Sequence, residues 1–321
     1  MTRILAYRFS AFGDVAMTVP VFREFLEQNP DVEIVIVSRN NFESLFADIP
    51  NVIFHGIDLD EYKGFFGIRR LGKELLKRYN PDYIADLHDV IRSKILNKFY
   101  VRKGLKVFKI NKGKEEKENL TDIWNLDKIQ LKRTVERYAD VFRDMGFKVE
   151  LSHQLRPKFT QKLGIGFAPF AQHTGKMLPL EKSFELVKIL AEKHTIYFFG
   201  GGKKETETLE SWERQIPNTQ SLAGKLNLSE ELNRISQLEV MISMDSANMH
   251  LASIVGTRCI SVWGSTHPYA GFLGFGQSEN DVVQINDLTC RPCSVFGDKE
   301  CYRGDWACLE EINVQQIIEK I

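Results

Sequence analysis

Asp14 stands in the run RFSAFGDVAMTVP, where the loop leaving the first strand carries Ser10 and Gly13 and runs into the first helix. A carboxylate at that position has two uses. It accepts backbone N–H bonds as a helix N-terminal cap, or it takes a proton from a substrate hydroxyl as a general base. The run also argues against one cofactor class: Gly13 stands alone, without the further glycines that let a dinucleotide pyrophosphate approach the backbone.

In the second half, SMDSANMHLA leaves a strand and opens a helix. Free N–H groups at Ser246, Ala247 and Asn248, with the helix dipole behind them, make a diphosphate site that needs no glycine-rich loop. His250, one turn in, either donates to the same phosphate or is a buried histidine satisfied by a local carbonyl. Thr174 and Lys176 lie in the loop after that half's first strand, where a lysine is a point charge for phosphate or simply faces solvent. Gly200, Gly201 and Gly202 end another strand just before Glu205, whose carboxylate suits a ribose diol or the start of a helix. Near the end, CRPC is followed by Cys301 and Cys308. The spacing of Cys290, Cys293, Cys301 and Cys308 is compatible with tetrahedral zinc, and equally with reduced thiols or a structural staple in a loop.

Positioning these groups takes more than one domain. The chain has 321 residues, 43% of them hydrophobic, and its 43 basic and 43 acidic residues cancel, which argues against a nucleic-acid-binding surface. Basic residues collect between positions 92 and 117, ten of them against Glu115 and Glu116, as a solvated face or as a surface for an anionic substrate or membrane leaflet. Short β-branched runs at 3–9, 33–38, 52–57, 83–87 and 106–110 alternate with helical periodicity at 15–28, 64–79 and 134–145. The alternation restarts after Pro157, with strands at 163–167, 195–199, 240–243 and 259–262. The pattern predicts an α/β protein of two doubly wound Rossmann-like domains, 1–156 and 157–321, joined through ELSHQLRPKFTQK, with ligands in a central cleft at the carboxyl ends of the strands. No apolar run reaches the roughly 20 residues of a bilayer-spanning helix, and the reading is of a cytoplasmic protein.

Taken in order, these motifs resemble glycosyltransferase family 9, the bacterial ADP-heptose:lipopolysaccharide heptosyltransferases. RFSAFGDVAMTVP is similar to the family's RxSxxGDxxxTxP opening, and MDSANMHLASIVGTRCISVWGSTHP to its DSGxxHxAxAxGxPxxxxxGxTxP block. GKMLPLEKSFELV, GGGKKE and CRPC follow in matching order. The resemblance implies a GT-B fold, with an N-terminal acceptor domain, a C-terminal nucleotide-sugar domain and a last helix packing back toward the first domain.

It further implies Asp14 as catalytic base, Thr174 and Lys176 at the donor diphosphate, Glu205 at the ribose, Leu226 at adenine through its backbone, and Asp245 near the donor sugar. Ser246, Ala247 and His250 fall on the phosphate-binding helix start. Ala247 replaces the family's usual glycine and Leu178 a frequent tryptophan. The implied reaction is inverting transfer of heptose from ADP-heptose to the lipopolysaccharide inner core. Catalysis without an obligatory metal is expected. An anionic lipid-linked acceptor gives Ser10, Arg92, Arg102 and Lys103 a task and implies peripheral contact with the inner membrane. A protein-hydroxyl acceptor and a non-catalytic nucleotide-sugar-binding protein are the competing readings.

Overall fold

The computed structural model describes residues 1–160 and 163–321. By contact the chain divides into two compact units, Met1–Lys112 with Thr134–Ser152, and Gly113–Arg133 with His153–Ile321.

The first unit is a five-stranded parallel sheet of β1 (Thr2–Tyr7), β2 (Val32–Arg39), β3 (Val52–Ile57), β4 (Tyr83–Asp86) and β5 (Lys106–Lys109), in the order β3-β2-β1-β4-β5. Covered on both faces, β2 buries Ile34, Val35, Ile36 and Val37 completely, which is why it reads as an unbroken apolar run. The single helix expected over 15–28 is two, α1 (Phe12–Ala16) and α2 (Thr18–Gln28), and α2 ends at Asn29 before Pro30. On the opposite face, α3 (Gly64–Tyr79) packs beside α4 (Ile91–Arg102). A Cβ at Gly72 would stand 2.8 Å from the Phe99 ring, so this glycine sets how closely the pair approaches. Asn80, in the left-handed region at φ 42°, closes α3.

The second unit begins, in chain order, with α5 (Lys114–Leu120), whereas α6 (Thr134–Asp144) returns to the first. Its six parallel strands are β6 (Ile165–Ala168), β7 (Ile196–Phe198), β8 (Thr219–Ser221), β9 (Val240–Met244), β10 (Cys259–Val262) and β11 (Val282–Val283), ordered β11-β10-β9-β6-β7-β8. The helices are α7 (Leu180–Leu190), α8 (Lys203–Gln215), α9 (Leu228–Ser236), α10 (Ala247–Ile254), α11 (Ala307–Glu310) and α12 (Gln315–Ile318). In each sheet the first strand lies between the second and the fourth. The strand order therefore reverses at β1/β4 and at β6/β9, the positions where open α/β sheets bind ligands beyond their carboxyl ends.

One boundary expectation comes out differently. Residues 113–133 group with the second unit because Leu120 and Leu131 pack with Ala270, and the Leu131 N–H bonds the Tyr269 carbonyl at 2.9 Å. The closing helix α12 has Ile317 in the second unit's own core, and Arg258 donates to the Lys320 carbonyl. Gln161 and Lys162, within the expected joining stretch, lie outside the described residues. Among the described residues no helix is long and apolar enough to cross a membrane.

Candidate functional site

In the first unit, β1 delivers Arg8 and α1 presents Asp14. The Arg8 guanidinium is buried and pairs with Asp14 Oδ2 at 2.5 Å while donating to the Leu87 carbonyl at 2.8 Å. The same Oδ2 accepts the Ala11 N–H at 3.3 Å, so Asp14 does cap its helix. Oδ1 makes no hydrogen bond among the described residues, and the side chain keeps 27% of its exposure. Cap and base are thus compatible: one oxygen is anchored and the other is open to a hydroxyl.

From β4, buried Asp86 accepts the N–H groups of His88 and Asp89 through Oδ1 and the Asn97 amide through Oδ2 at 2.6 Å. Asn97 in turn accepts the Tyr7 hydroxyl. This network fixes the loop that sets His88 beside β1, where Nδ1 faces the Phe9 N–H at 3.4 Å. Burial, then Arg8, Lys112, Arg92 and Arg39, lower the His88 pKa to about 3, so the ring is neutral. Lys112 is also lowered, by burial first and then by Arg8. Arg8, the first residue of RFSAFGD, and His88 escape a reading of the sequence. The only signal was a cationic side chain at the very end of a buried strand.

In the second unit, β6 leads into the turn holding Thr174 and Lys176, and Asp245 directly follows neighbouring β9. Lys176 Nζ reaches Asp245 Oδ2 at 2.9 Å, and the Thr266 hydroxyl donates to the same oxygen at 2.8 Å. The turn is clamped from below, since the Gly175 carbonyl accepts both the N–H and the hydroxyl of Ser265. Gly297, at φ +77°, lies so close that a Cβ would stand 2.6 Å from Lys176 Cγ. Ser246 stands at the N-cap position of α10 without a side-chain cap bond, and the N–H groups of Ser246, Ala247 and Asn248 carry no hydrogen bond among the described residues. They are therefore available to an anion. His250 is buried at 6% exposure on this helix. Glu205 Oε2 accepts the Gly201 N–H at 2.8 Å, holding the glycine turn. Leu226, just before the Asn227 cap of α9, has a backbone free of hydrogen bonds among the described residues.

The remaining candidates separate. Arg92, near the start of α4, lines a cavity of about 330 Å³ with Arg39, Asn40, Asn41, Asp58 and Asp60, and among the described residues neither guanidinium makes a hydrogen bond or ion pair. Ser10 follows β1 on the same edge of the sheet. Arg102 and Lys103 lie at the other end of α4, about 15 Å away at 1.5 Å per residue. Cys290, Cys293, Cys301 and Cys308 line one narrow cavity beside the buried Arg291. Burial, with smaller contributions from the neighbouring thiols, pushes Cys308 up to about 12 and raises Cys293. Among the described residues no group of three or more His, Cys, Asp or Glu side chains is arranged to hold a metal ion.

Comparison with known proteins agrees with this architecture. The profile of glycosyltransferase family 9 (heptosyltransferase) matches residues 68–302. Lipooligosaccharide heptosyltransferase 2 of Campylobacter jejuni is 23% identical over 96% of this chain and 93% of its own. Among solved structures, a family 9 glycosyl transferase from Veillonella parvula superposes with a TM-score of 0.73 at 18% identity, over 99% of this chain and 95% of its own. E. coli heptosyltransferase WaaC with ADP-2-deoxy-2-fluoro heptose gives 0.69 at 19% identity, over 99% of each chain. The fold is GT-B, two parallel α/β units.

Proposed function

From a chain that belongs to glycosyltransferase family 9, we propose inverting transfer of a heptose from ADP-heptose to a hydroxyl of a lipopolysaccharide or lipooligosaccharide inner core. The observation that carries the donor half is the junction at β6/β9, where Lys176, Asp245 and the unbonded N–H groups of α10 meet. The relatives support the substrates: one was crystallised with an ADP-heptose analogue, and another is a lipooligosaccharide heptosyltransferase.

Asp14 Oδ1 takes the proton of the acceptor hydroxyl as its oxygen attacks the anomeric carbon from the face opposite the leaving group. The bond from that carbon to the β-phosphate oxygen breaks, and ADP departs with the electron pair. Lys176 and the start of α10 hold the developing charge, with His250 one turn behind. In the free chain Asp245 occupies Lys176, and the diphosphate competes for that lysine. Glu205 and the Leu226 backbone hold the ribose and adenine. A lipid-linked acceptor places the work at the cytoplasmic face of a membrane.

The test is ADP release from ADP-heptose with and without lipid-linked core acceptor, with mass spectrometry of the product. Acceptor-dependent release with a heptose added to the core supports the reading. Heptose on a protein hydroxyl, or binding without release, overturns it.

A further inference from the structure

We propose that Arg8 is a positioning residue of the reaction, its buried guanidinium holding Asp14 by Oδ2 so that Oδ1 meets the acceptor hydroxyl. The fork is shared between two elements: Nη1 donates to the Leu87 carbonyl, just after β4, at 2.8 Å, and Nη2 pairs with Asp14 Oδ2 in α1 at 2.5 Å. The guanidinium carbon sits over the Tyr138 ring of α6, 5.9 Å from its centroid, and the Tyr138 hydroxyl donates to the Asp14 carbonyl at 3.4 Å. The main chain of Arg8 is held as well. Its N–H donates to the Val37 carbonyl at 3.3 Å, and its carbonyl accepts the Ser38 hydroxyl at 2.6 Å. Contacts from β2, from the loop after β4 and from α6 thus fix the cation, and the cation fixes the carboxylate.

Without that pair Asp14 is poorly oriented. The other contact on its carboxylate is the Ala11 N–H at 3.3 Å, a long hydrogen bond, on a side chain that keeps 27% of its exposure and turns freely about χ2. Stability gives a weaker account of Arg8. Its side chain is only 7% exposed, and its Nε is buried without a hydrogen-bond partner among the described residues, so its contacts offset the cost of desolvation only in part. An apolar side chain at this strand end would carry no such cost. What it would not do is give a carboxylate one direction, whereas a planar guanidinium sets both the distance and the angle of Oδ2. Direction matters to a base, because a reacting group displaced by about 1 Å loses roughly 10² in rate. The inference rests on Asp14 being the base, and it adds the residue that aims it.

Steady-state kinetics of Arg8→Met and Arg8→Lys, each alone and combined with Asp14→Asn, test it, with ADP titration and circular dichroism of every variant. Arg8→Met should lower kcat by about 10- to 100-fold while ADP affinity stays within about twofold of the parent. Arg8→Lys keeps the charge but not the fork and should fall between, about 3- to 10-fold below the parent, which keeps the test open if the Met variant does not fold. A residue that acts through Asp14 loses its effect once the base is gone. In the Asp14→Asn background either substitution should therefore change kcat by less than about threefold. Parental kcat in a folded Arg8 variant would overturn the proposal. So would a loss of the same size in both backgrounds, the mark of a merely structural cation, or a loss confined to ADP affinity. These outcomes leave Asp14 as the base, whereas parental kcat in Asp14→Asn itself would remove the base and the proposal together.

Discussion

Asp14 is tethered through a single oxygen, and that asymmetry sets what its substitution must do. Asp14→Asn keeps a capping oxygen but withdraws the counter-charge from the buried Arg8 guanidinium, which retains the Leu87 carbonyl and its place over the Tyr138 ring. The stability cost should therefore exceed a lost cap and fall at about 1–3 kcal/mol, the usual range for a buried group losing its partner. Turnover should drop far more, by about 10² to 10⁴ in kcat, with ADP affinity retained. Thermal unfolding, ADP titration and turnover of the one variant separate the roles. A folded Asp14→Asn protein with parental kcat would remove Asp14 as the base and direct attention to Asp245.

At the scale of elements, the donor junction depends on loops that approach one another closely. Gly297 is the point where the cysteine-bearing loop passes the Lys176 stem, at a backbone angle unfavourable to any side chain. Gly297→Ala should displace Lys176 and weaken ADP binding by about tenfold or more while leaving Asp14 untouched, which calorimetric titration would register. The same loop makes a second prediction. At pH 8 Cys308 and Cys293, whose thiols burial holds protonated, should alkylate more slowly than Cys290. Mass mapping of iodoacetamide adducts shows the order, and protection of all four together, released by a chelator, would instead mean a shared metal.

The sequence made β1, β2, β6 and β9 legible because buried parallel strands are short continuous apolar runs, and Asp14, Lys176 and Asp245 could be placed at their ends for that reason. It concealed β8, whose three residues Thr219–Ser221 are all polar, and β11, which is only two residues long. It concealed the allegiance of residues 113–133, which contacts with Ala270 and Tyr269 far along the chain decide. Arg8 and Thr266 were hidden likewise, since their partners are set by the tertiary fold and not by spacing.

Over the whole molecule, each unit contains a histidine held neutral in the fold. Burial, helped by surrounding cations, brings His88 in the first unit to about 3. Burial, helped by Arg291, does the same for His267 in the second. In the unfolded chain both titrate near 6.5, so above that pH neither state binds the extra proton and stability is at its plateau. As pH falls below 6.5 the unfolded state takes up protons that the folded rings refuse. Stability then declines by about 1.4 kcal/mol per pH unit for each histidine until the folded pKa is reached. Urea unfolding at pH 7.5, 6.5 and 5.5 should therefore show little change over the first step and a clear loss over the second, before most carboxylates begin to titrate. His88→Gln can still present an acceptor to the Phe9 N–H, and should flatten the loss in the first unit while leaving the His267 share in the second. A pH profile identical in the variant and the parent would mean that His88 is protonated freely in the fold, and that the cationic edge around Asp14 is far better solvated than its geometry indicates.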